Sequence, residues 1–163
     1  SDLVDIPTRR RNCQEVDRAD IMVNCKMIQM PAFAGEYGQL NAIEGGKDIP
    51  FDVQRVYYIT GVPKGVTRGF HSHRKLEQVL LCVNGSVKIR LKTPTAEESV
   101  TLDDPSKGLC IGHMIWREMY DFAEGAVLLV LASQHYTEAD YIRDYGQYLQ
   151  EAEVYFKRRD VQE

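Results

Sequence analysis

The sequence EQVLLCVNGSVKIRLK, residues 77–92, decides the fold. It contains two apolar runs of strand length, VLLCV and SVKIRL, which are rich in Val, Ile and Leu. The runs are joined by Asn84-Gly85, and an Asn-Gly pair between two such runs is the strongest short-range signal for a β-hairpin. The stretch therefore predicts two strands joined by a tight hairpin turn.

Further runs of the same kind recur on both sides of this stretch. Each is short, rich in Val, Ile, Leu or Tyr, and followed by a Gly, Pro, Asn or Asp turn signal. They are CKMIQM, GQLNAIE, VQRVYYIT, ESVTLDD, GLCIG, MIWREM and AVLLVLAS. Many short strands at near-regular spacing are typical of an all-β sandwich or barrel, so we expect one all-β domain.

The C-terminal region has a different pattern. Tyr141, Tyr145 and Tyr148 recur at helical spacing, and Thr137 followed by Asp140 resembles a capping box. We therefore expect a short helical segment that begins near Thr137 and docks on the β-domain. The predicted organisation is an N-terminal arm (residues 1–20), a β-domain (21–150) and a charged C-terminal tail (151–163).

Composition and charge narrow the function classes. The formal net charge of −4 argues against a protein that binds nucleic acid or an anionic membrane. No apolar run reaches the roughly 18 residues of a membrane-spanning helix, and residues 1–11 lack the apolar stretch of a signal peptide. The cysteines form no C-x-x-C pair, and Cys82 and Cys110 lie in apolar runs, where we expect them to be small buried apolar side chains. These features predict a reducing, cytoplasmic location.

The segment RGFHSHRKLEQ, residues 68–78, carries the candidate chemistry. Side chains alternate along a strand, so His71 and His73 point the same way, and Glu77 does too if the strand continues. If that face lines the interior, two imidazoles and a carboxylate converge on one cavity. A single strand histidine is usually a surface or hydrogen-bonded core residue, but two at this spacing favour a functional site.

The spacing H-x-H-x-x-x-E is also the first half of the cupin signature, which commonly holds a divalent metal. The second half has the form G-x5-P-x-G-x-x-H and supplies a third histidine. Here the matching region, residues 108–118, places His113 at the proline position and Glu118 at the histidine position. The histidine set is therefore incomplete, and we expect no metal. Two histidines with Glu77 and Glu118 still leave a metal-dependent cupin enzyme as an alternative.

An ordered series of stretches resembles a known family. The stretches are IEGGKDIPF (43–51), RVYYI (55–59), RGFHSHRKLEQVLLCVNGSVKI (68–89), GLCIG (108–112), WREM (116–119) and VLLVLASQHYTEADYIRDY (127–145). They are similar to the sugar 3,4-ketoisomerases that act on dTDP-4-keto-6-deoxyglucose, a cupin subfamily. One departure is His113, where that family is expected to have proline, and the tail beyond residue 150 is longer than expected.

This resemblance implies a fold, a reaction and partners. The fold would be a cupin jelly-roll β-barrel followed by a short C-terminal helix. The substrate would be a dTDP-linked 4-keto-6-deoxy sugar, converted to the 3-keto sugar without a cofactor or a required metal. The protein would be an intertwined homodimer, and its product would pass to a PLP-dependent aminotransferase that makes a 3-amino-3,6-dideoxy sugar.

The reaction needs groups that move protons, and histidine is the usual choice near neutral pH. We assign His71 and His73 as the acid–base pair, without deciding which one removes the C3 proton. Tyr58 is the candidate for a hydroxyl that binds the sugar or relays a proton. Its neighbour Tyr57 has the opposite parity, so one of the two tyrosines is expected to face the cavity, and either is otherwise an ordinary strand aromatic.

Nucleotide recognition requires cations and an apolar surface. The planar guanidinium of arginine suits a diphosphate, and Arg68 is the first candidate, followed by Arg74 and Arg90. Trp116, the only tryptophan, is a candidate wall for the thymine base, with core packing as its alternative role. Glu118 is a candidate to orient one histidine. Besides the metal-dependent enzyme, a non-catalytic cupin that only binds a nucleotide sugar and a 3,5-epimerase are the competing functions.

Overall fold

The computed structural model describes residues 21–162, so the predicted arm at residues 1–20 lies outside the described residues. Within this range the chain forms β-strands, a short 3₁₀ turn and one long helix. The strands are β1 (Cys25–Gln29), β2 (Ala32–Gly35), β3 (Gly38–Asn41), β4 (Arg55–Ile59), β5 (Arg68–His73), β6 (Gln78–Asn84), β7 (Val87–Lys92), β8 (Glu97–Leu102), β9 (Lys107–Ile111), β10 (Trp116–Tyr120), β11 (Val127–Ala132) and β12 (Tyr141–Ile142). The 3₁₀ turn is Glu138–Asp140 and the helix α1 is Tyr145–Gln162.

The strands form two facing five-stranded sheets, and β2 pairs with β3 in a separate hairpin. The first sheet has the order β1-β9-β6-β11-β4 and the second has the order β12-β5-β10-β7-β8, with antiparallel pairing throughout. From β4 onward most sequence neighbours lie in different sheets, as in a jelly roll. The all-β prediction is therefore confirmed, and every apolar run identified in the sequence contains a strand.

The main core fills the space between the two sheets. Inward side chains from β6 and β11 meet those from β7 and β10, and the buried set includes Leu80, Leu128, Ile89 and Met119. A second cluster covers the outer face of the first sheet, where the segment before β4 contributes Ile49 and Phe51. Burial of these apolar surfaces is the main favourable term in folding.

The predicted hairpin at Asn84-Gly85 is wrong, although the turn itself is present. Strand β6 pairs with β9 and β11, whereas β7 pairs with β10 and β8, so the turn carries the chain from one sheet to the other. Gly85 has a φ of +73°, and a Cβ there would lie 3.1 Å from the Cα of Ala126. The Asn-Gly pair specifies a sharp chain reversal, but both edges of β6 are already paired, with β9 and with β11.

The C-terminal helix begins later than predicted. The Thr137 side chain makes no capping hydrogen bond, and Glu138–Asp140 form only one 3₁₀ turn before β12. The Asp140 carboxylate is instead engaged by the backbone N–H groups of Lys75 and Leu76. Helix α1 is capped by Asp144, whose carboxylate accepts a hydrogen bond from the backbone N–H of Gln147. The helix then continues across residue 150 without interruption.

Helix α1 lies on the outer face of the second sheet, where it covers β10. Tyr148 is fully buried and packs against Trp116, and its hydroxyl lies 2.9 Å from each of the carbonyl oxygens of Lys92 and Met114. As a result, both faces of β10 are buried. No helix among residues 21–162 is long and apolar enough to cross a membrane.

Three cysteines lie in the described range, and all are buried. Cys25 and Cys82 are reduced thiols. Cys82 and Cys110 are buried in β6 and β9, which confirms the prediction for both, and Cys110 is disulfide-bonded.

Candidate active site

A cavity of about 260 Å³ opens at one end of the sandwich, between the two sheets. The first sheet contributes side chains from β4 and the second contributes side chains from β5 and β10, while the segment around β12 closes one side. The lining residues are Arg55, Tyr57, Ile59, Arg68, Gly69, His71, Met119, Tyr141 and Arg143. The cavity therefore combines a histidine and tyrosines with three cations.

A bulge in β5 determines which side chains reach this cavity. Arg117 is paired with His71 but the next residue, Glu118, is paired with Gly69, so Phe70 is the extra residue. Gly69 and Phe70 both have positive φ values, +101° and +50°. In a regular strand Arg68 and His71 would point to opposite faces. The bulge restores Arg68 to the cavity face beside His71.

His71 is buried at the cavity wall and is held in one tautomer. Its Nδ1–H donates to the carbonyl oxygen of Gly69 at 3.0 Å, because a carbonyl can only accept. The Nε2 atom is therefore the unprotonated nitrogen, and it has no hydrogen-bond partner among the described residues. Burial, reinforced by the charge of Arg117, lowers the pKa of His71 to about 3. The imidazole is accordingly neutral at physiological pH and available as a base.

His73 lies behind His71 and is paired with a carboxylate. Its Nδ1 atom is 3.2 Å from Oδ2 of Asp140, and the two imidazole ring centroids are 4.9 Å apart. Burial lowers the pKa of His73 to about 4, although the hydrogen bond to Asp140 works in the opposite direction. At neutral pH the contact is therefore a hydrogen bond from a neutral imidazole, and Nε2 of His73 also lacks a partner within residues 21–162.

Asp140 is ionised and well anchored in this arrangement. Burial opposes its ionisation, but the hydrogen bonds from His73 and from the backbone N–H groups of Lys75 and Leu76 together lower its pKa. A carboxylate that orients the other nitrogen of a histidine fixes its tautomer and raises its basicity. Asp140 therefore orients a histidine, which is the role that the sequence analysis predicts for Glu118.

The mouth of the cavity is lined by cations and aromatic rings. The guanidinium of Arg55 lies 5.3 Å from the ring centroid of Tyr57, and that of Arg143 lies 4.2 Å from the ring centroid of Tyr141. Arg143 also forms an ion pair with Glu138 at 2.6 Å. Arg68 is exposed at the rim. Three guanidinium groups at one mouth form an anion-binding surface.

The structure places Tyr57, not Tyr58, at the cavity. Strand β4 alternates, so Tyr57 turns inward and Tyr58 is 70% exposed on the outer face of the first sheet. The selection of Tyr58 is therefore corrected to its neighbour, as the parity argument allowed. The Tyr57 hydroxyl accepts a hydrogen bond from Nε2 of Gln78 at 3.0 Å.

Three further predicted site residues lie on the opposite face of the second sheet. Glu118 accepts hydrogen bonds from Arg90 at 2.7 Å and from the Trp116 indole at 2.9 Å, and it contacts neither histidine. Trp116 packs under α1 against Tyr145 at a centroid distance of 5.0 Å. Arg90, Trp116 and Glu118 therefore form an outer cluster away from the cavity, which corrects their assignment to substrate binding.

The metal-binding alternative depended on Glu77 and Glu118 joining the histidines. Strand β5 ends at His73, so the alternation of faces does not extend to Glu77. Glu118 points away from the histidines across β10. Among residues 21–162, no group of three or more His, Cys, Asp or Glu side chains is arranged to hold a metal ion. Arg74, the second phosphate candidate, is bonded to Glu151 of α1 at 2.8 Å.

Sequence reasoning missed several residues that contribute to the site, including Arg55 and Arg143 at the cavity mouth. Asp140 was assigned to a helix cap and Tyr141 to helix packing, because the short strand β12 carries no pattern of its own. Arg117 and Gln78 had a detectable signal. Each is a polar residue in a largely apolar buried run, MIWREM for Arg117 and QVLLCV for Gln78, and a polar residue in such a run needs a specific reason for burial.

Comparisons with known proteins identify the family. The sequence profile of FdtA (WxcM-like, C-terminal) matches residues 23–153. The chain is 46% identical over 123 residues to TDP-4-oxo-6-deoxy-alpha-D-glucose-3,4-oxoisomerase of Aneurinibacillus thermoaerophilus, a match that covers 76% of this chain and 88% of that protein.

Two solved structures are similar over most of their length. One is a histidine-to-asparagine variant of the 3,4-ketoisomerase QdtA from Thermoanaerobacterium thermosaccharolyticum in complex with TDP-4-keto-6-deoxyglucose. It is 57% identical with a TM-score of 0.81, covering 82% of this chain and 97% of that chain. The other is the WlaRB TDP-quinovose 3,4-ketoisomerase of Campylobacter jejuni, 44% identical with a TM-score of 0.75, covering 78% and 98%. The chain therefore belongs to the FdtA family of sugar 3,4-ketoisomerases.

Proposed function

We propose that this protein converts TDP-4-keto-6-deoxyglucose to a TDP-3-keto-6-deoxyhexose. The observation that carries the proposal is the pair of buried, neutral imidazoles, His71 and His73, whose Nε2 atoms lack a partner in the described structure. Buried polar atoms are nearly always satisfied, and the exceptions need an explanation. A bound substrate with acidic C–H and O–H groups explains the Nε2 atom of His71, which lines the cavity.

The reaction moves two protons and leaves the atom count of the sugar unchanged. The C4 ketone acidifies the hydrogen on C3, and a base removes it to give an enediolate. The proton on O3 is transferred to O4, and a proton returned to C4 completes the 3-keto product. Because His71 lines the cavity and His73 lies behind it, we assign His71 as the base at C3 and the pair His73–Asp140 as its support.

Tyr57 and the arginines complete the proposed roles. The Tyr57 hydroxyl is placed at the cavity to donate a hydrogen bond to the carbonyl oxygen as negative charge develops there. Arg55, Arg68 and Arg143 supply the guanidinium groups for the diphosphate at the mouth. Tyr141, whose ring lies 4.3 Å from that of His73 by centroid, is an aromatic surface beside the sugar.

The direct test is incubation of the purified protein with TDP-4-keto-6-deoxyglucose in D2O, followed by NMR of the sugar. A 3-keto product carrying deuterium at C4 supports the proposal, and the H4–H5 coupling of the product made in H2O gives the C4 configuration. Exchange at C5 would indicate a 3,5-epimerase instead. An unchanged sugar that still binds would show a non-catalytic nucleotide-sugar protein.

We further propose that the protein is a cytoplasmic homodimer whose product is consumed by a PLP-dependent aminotransferase. Strand β4 is an edge strand, and its outward side chains Val56 and Tyr58 are 55% and 70% exposed. Exposed apolar residues on an edge strand are a common site of association. Light scattering is expected to give twice the chain mass, and Tyr58→Glu is expected to reduce it to the monomer mass. A monomeric wild type would contradict the dimer.

A further inference from the structure

Arg117 is the largest fully buried side chain of the described protein. It is the second residue of β10 and is paired across the sheet with His71, so both residues point toward the space between the sheets. No carboxylate within residues 21–162 forms an ion pair with it. A buried charge without a counter-ion is costly, so its presence beside the histidines calls for a specific role.

The guanidinium is held by neutral acceptors. Its Nη1 donates to Oε1 of Gln78 at 2.7 Å and its Nη2 donates to the carbonyl of Ile115 at 2.9 Å. Its Nε–H has no partner among the described residues. Burial lowers the pKa of the Arg117 guanidinium from its ordinary value, but an arginine side chain stays protonated in proteins at neutral pH. Arg117 is therefore a positive charge close to the site at which the proposed reaction develops negative charge.

Gln78 connects this charge to the cavity. Arginine only donates hydrogen bonds, so the amide oxygen of Gln78 must face Arg117 and the amide nitrogen must face the other way. That nitrogen donates to the Tyr57 hydroxyl oxygen at 3.0 Å. Since Gln78 supplies a donor, the Tyr57 hydroxyl cannot donate back to it. The Tyr57 hydroxyl proton consequently points away from Gln78. Because Tyr57 lines the cavity, this proton is available to a ligand there.

Arg117 also acts on the histidines through space. Burial is the main reason that both imidazoles are neutral, and the charge of Arg117 adds to it at His71 and at His73. The same charge favours ionisation of Tyr57, whose pKa burial alone would raise further. The charge of Arg117 thus adds to the effect of burial on the base and makes the tyrosine a better hydrogen-bond donor.

We propose that Arg117 and Gln78 are a positioning pair that directs the Tyr57 hydroxyl proton into the cavity and supplies the positive charge that stabilises the enediolate. The part that concerns the enediolate rests on the proposed function. The part that concerns Tyr57 and the imidazoles is a property of the free protein.

The variant Gln78→Glu separates this role from a structural one. The carboxylate keeps the acceptor for Arg117 and gives it a counter-ion, so the melting temperature is expected to stay at or above that of the wild type. It offers Tyr57 an acceptor in place of a donor, so the Tyr57 proton turns away from the cavity. We expect kcat to fall at least about tenfold with little change in KM.

Two further measurements test whether the fall in kcat of Gln78→Glu acts through Tyr57 and Arg117. In the double variant Tyr57→Phe/Gln78→Glu, kcat is expected to fall by less than the product of the two single-variant losses, because both changes remove the Tyr57 hydrogen bond and only Gln78→Glu also neutralises Arg117. NMR titration of the histidines in the ligand-free Gln78→Glu protein is expected to give higher pKa values, because Arg117 is neutralised. Gln150→Glu, the same change at an exposed position of α1, is the control.

A stable Gln78→Glu protein with wild-type kcat and wild-type histidine titration would overturn the proposal. Gln78→Met, which deletes both hydrogen-bonding groups, is the second variant and is expected to lose a similar factor in kcat if the glutamate variant does not fold. If the wild type fails to convert the sugar, the proposed function fails, whereas the histidine titration still decides whether Arg117 and Gln78 act on the imidazoles.

Discussion

His71 and His73 are equivalent in the sequence but not in the structure. Both lie on the same face of β5, yet only His71 lines the cavity, while His73 is bonded to Asp140 and almost fully buried. Both rings use Nδ1 for a hydrogen bond to the protein, and this leaves Nε2 of each ring without a partner among the described residues. This arrangement is the reason for the different roles proposed for the two rings, with His71 as the base and His73 as its support. Substitution of His71 tests the first of these roles.

Replacing His71 with Asn is expected to lower kcat by about 10²- to 10⁴-fold, the usual effect of removing a general base. The asparagine side chain keeps a polar group near Gly69, so the fold and the affinity for TDP are expected to remain. Steady-state kinetics and calorimetric titration with TDP measure the two effects separately.

The matched control is His135→Asn, which makes the same change at an exposed position outside the cavity, and wild-type kinetics are expected. A His71→Asn protein that keeps more than about a tenth of wild-type kcat would show that another group removes the C3 proton.

At this scale the sequence identified the histidine pair but not the residues that support it. The outer cluster of Trp116 and Glu118 was mistaken for part of the site because α1 buries the outer face of β10, which leaves no polar and apolar alternation to separate its two faces. The choice between Tyr57 and Tyr58 was undetermined for a related reason. Parity shows that the two tyrosines face opposite ways, but not which of them faces inward.

At the scale of elements, the bulge in β5 is the feature that assembles the site. It places Arg68 on the cavity face and turns the Gly69 carbonyl toward Nδ1 of His71. Gly69 has a φ of +101°, and a Cβ there would lie 3.1 Å from the carbonyl oxygen of Arg117. Only glycine adopts this conformation at such close range without strain.

Gly69→Ala is therefore expected to lower the free energy of unfolding by about 1–3 kcal/mol and to lower kcat/KM, because the bulge shifts and both Arg68 and His71 lose their positions. Urea unfolding and steady-state kinetics measure the two changes. Gly35→Ala is the control, since Gly35 lies at the end of β2 and a Cβ added there would have nothing within 4 Å. Wild-type activity in the Gly69→Ala protein would show that the bulge does not position the site.

Strand pairing and the start of α1 could not be predicted from local sequence patterns. Every strand with a clear apolar run was predictable, whereas the pairing of β6 was not, because its neighbours β9 and β11 come from distant parts of the chain. The start of α1 was misplaced because Thr137 and Asp140 match a capping pattern. Asp140 uses its carboxylate for His73 and for the turn after β5 instead, which is a tertiary contact that no local pattern encodes.

At the scale of the whole molecule, the fold buries several histidines and thereby disfavours their protonation. Burial lowers the pKa values of His71 to about 3 and of His73 to about 4, and it also lowers that of His113 in the β9–β10 loop. The ordinary value is 6.5. The unfolded chain therefore binds protons below about pH 6.5 that the folded protein excludes, and stability falls as the pH falls.

The free energy of unfolding is accordingly expected to decrease steadily as the pH is lowered from about 7 to about 4. Asp140 acts in the same direction at the acidic end, because its folded pKa lies below its ordinary value and protonation removes its hydrogen bonds. Urea unfolding at a series of pH values measures the slope. His71→Asn removes one of the responsible imidazoles, so its slope is expected to be shallower, and that of His71→Asn/His73→Asn shallower again. Equal slopes in all three proteins would show that neither histidine is held neutral by the fold, and would remove the main support for the acid–base pair.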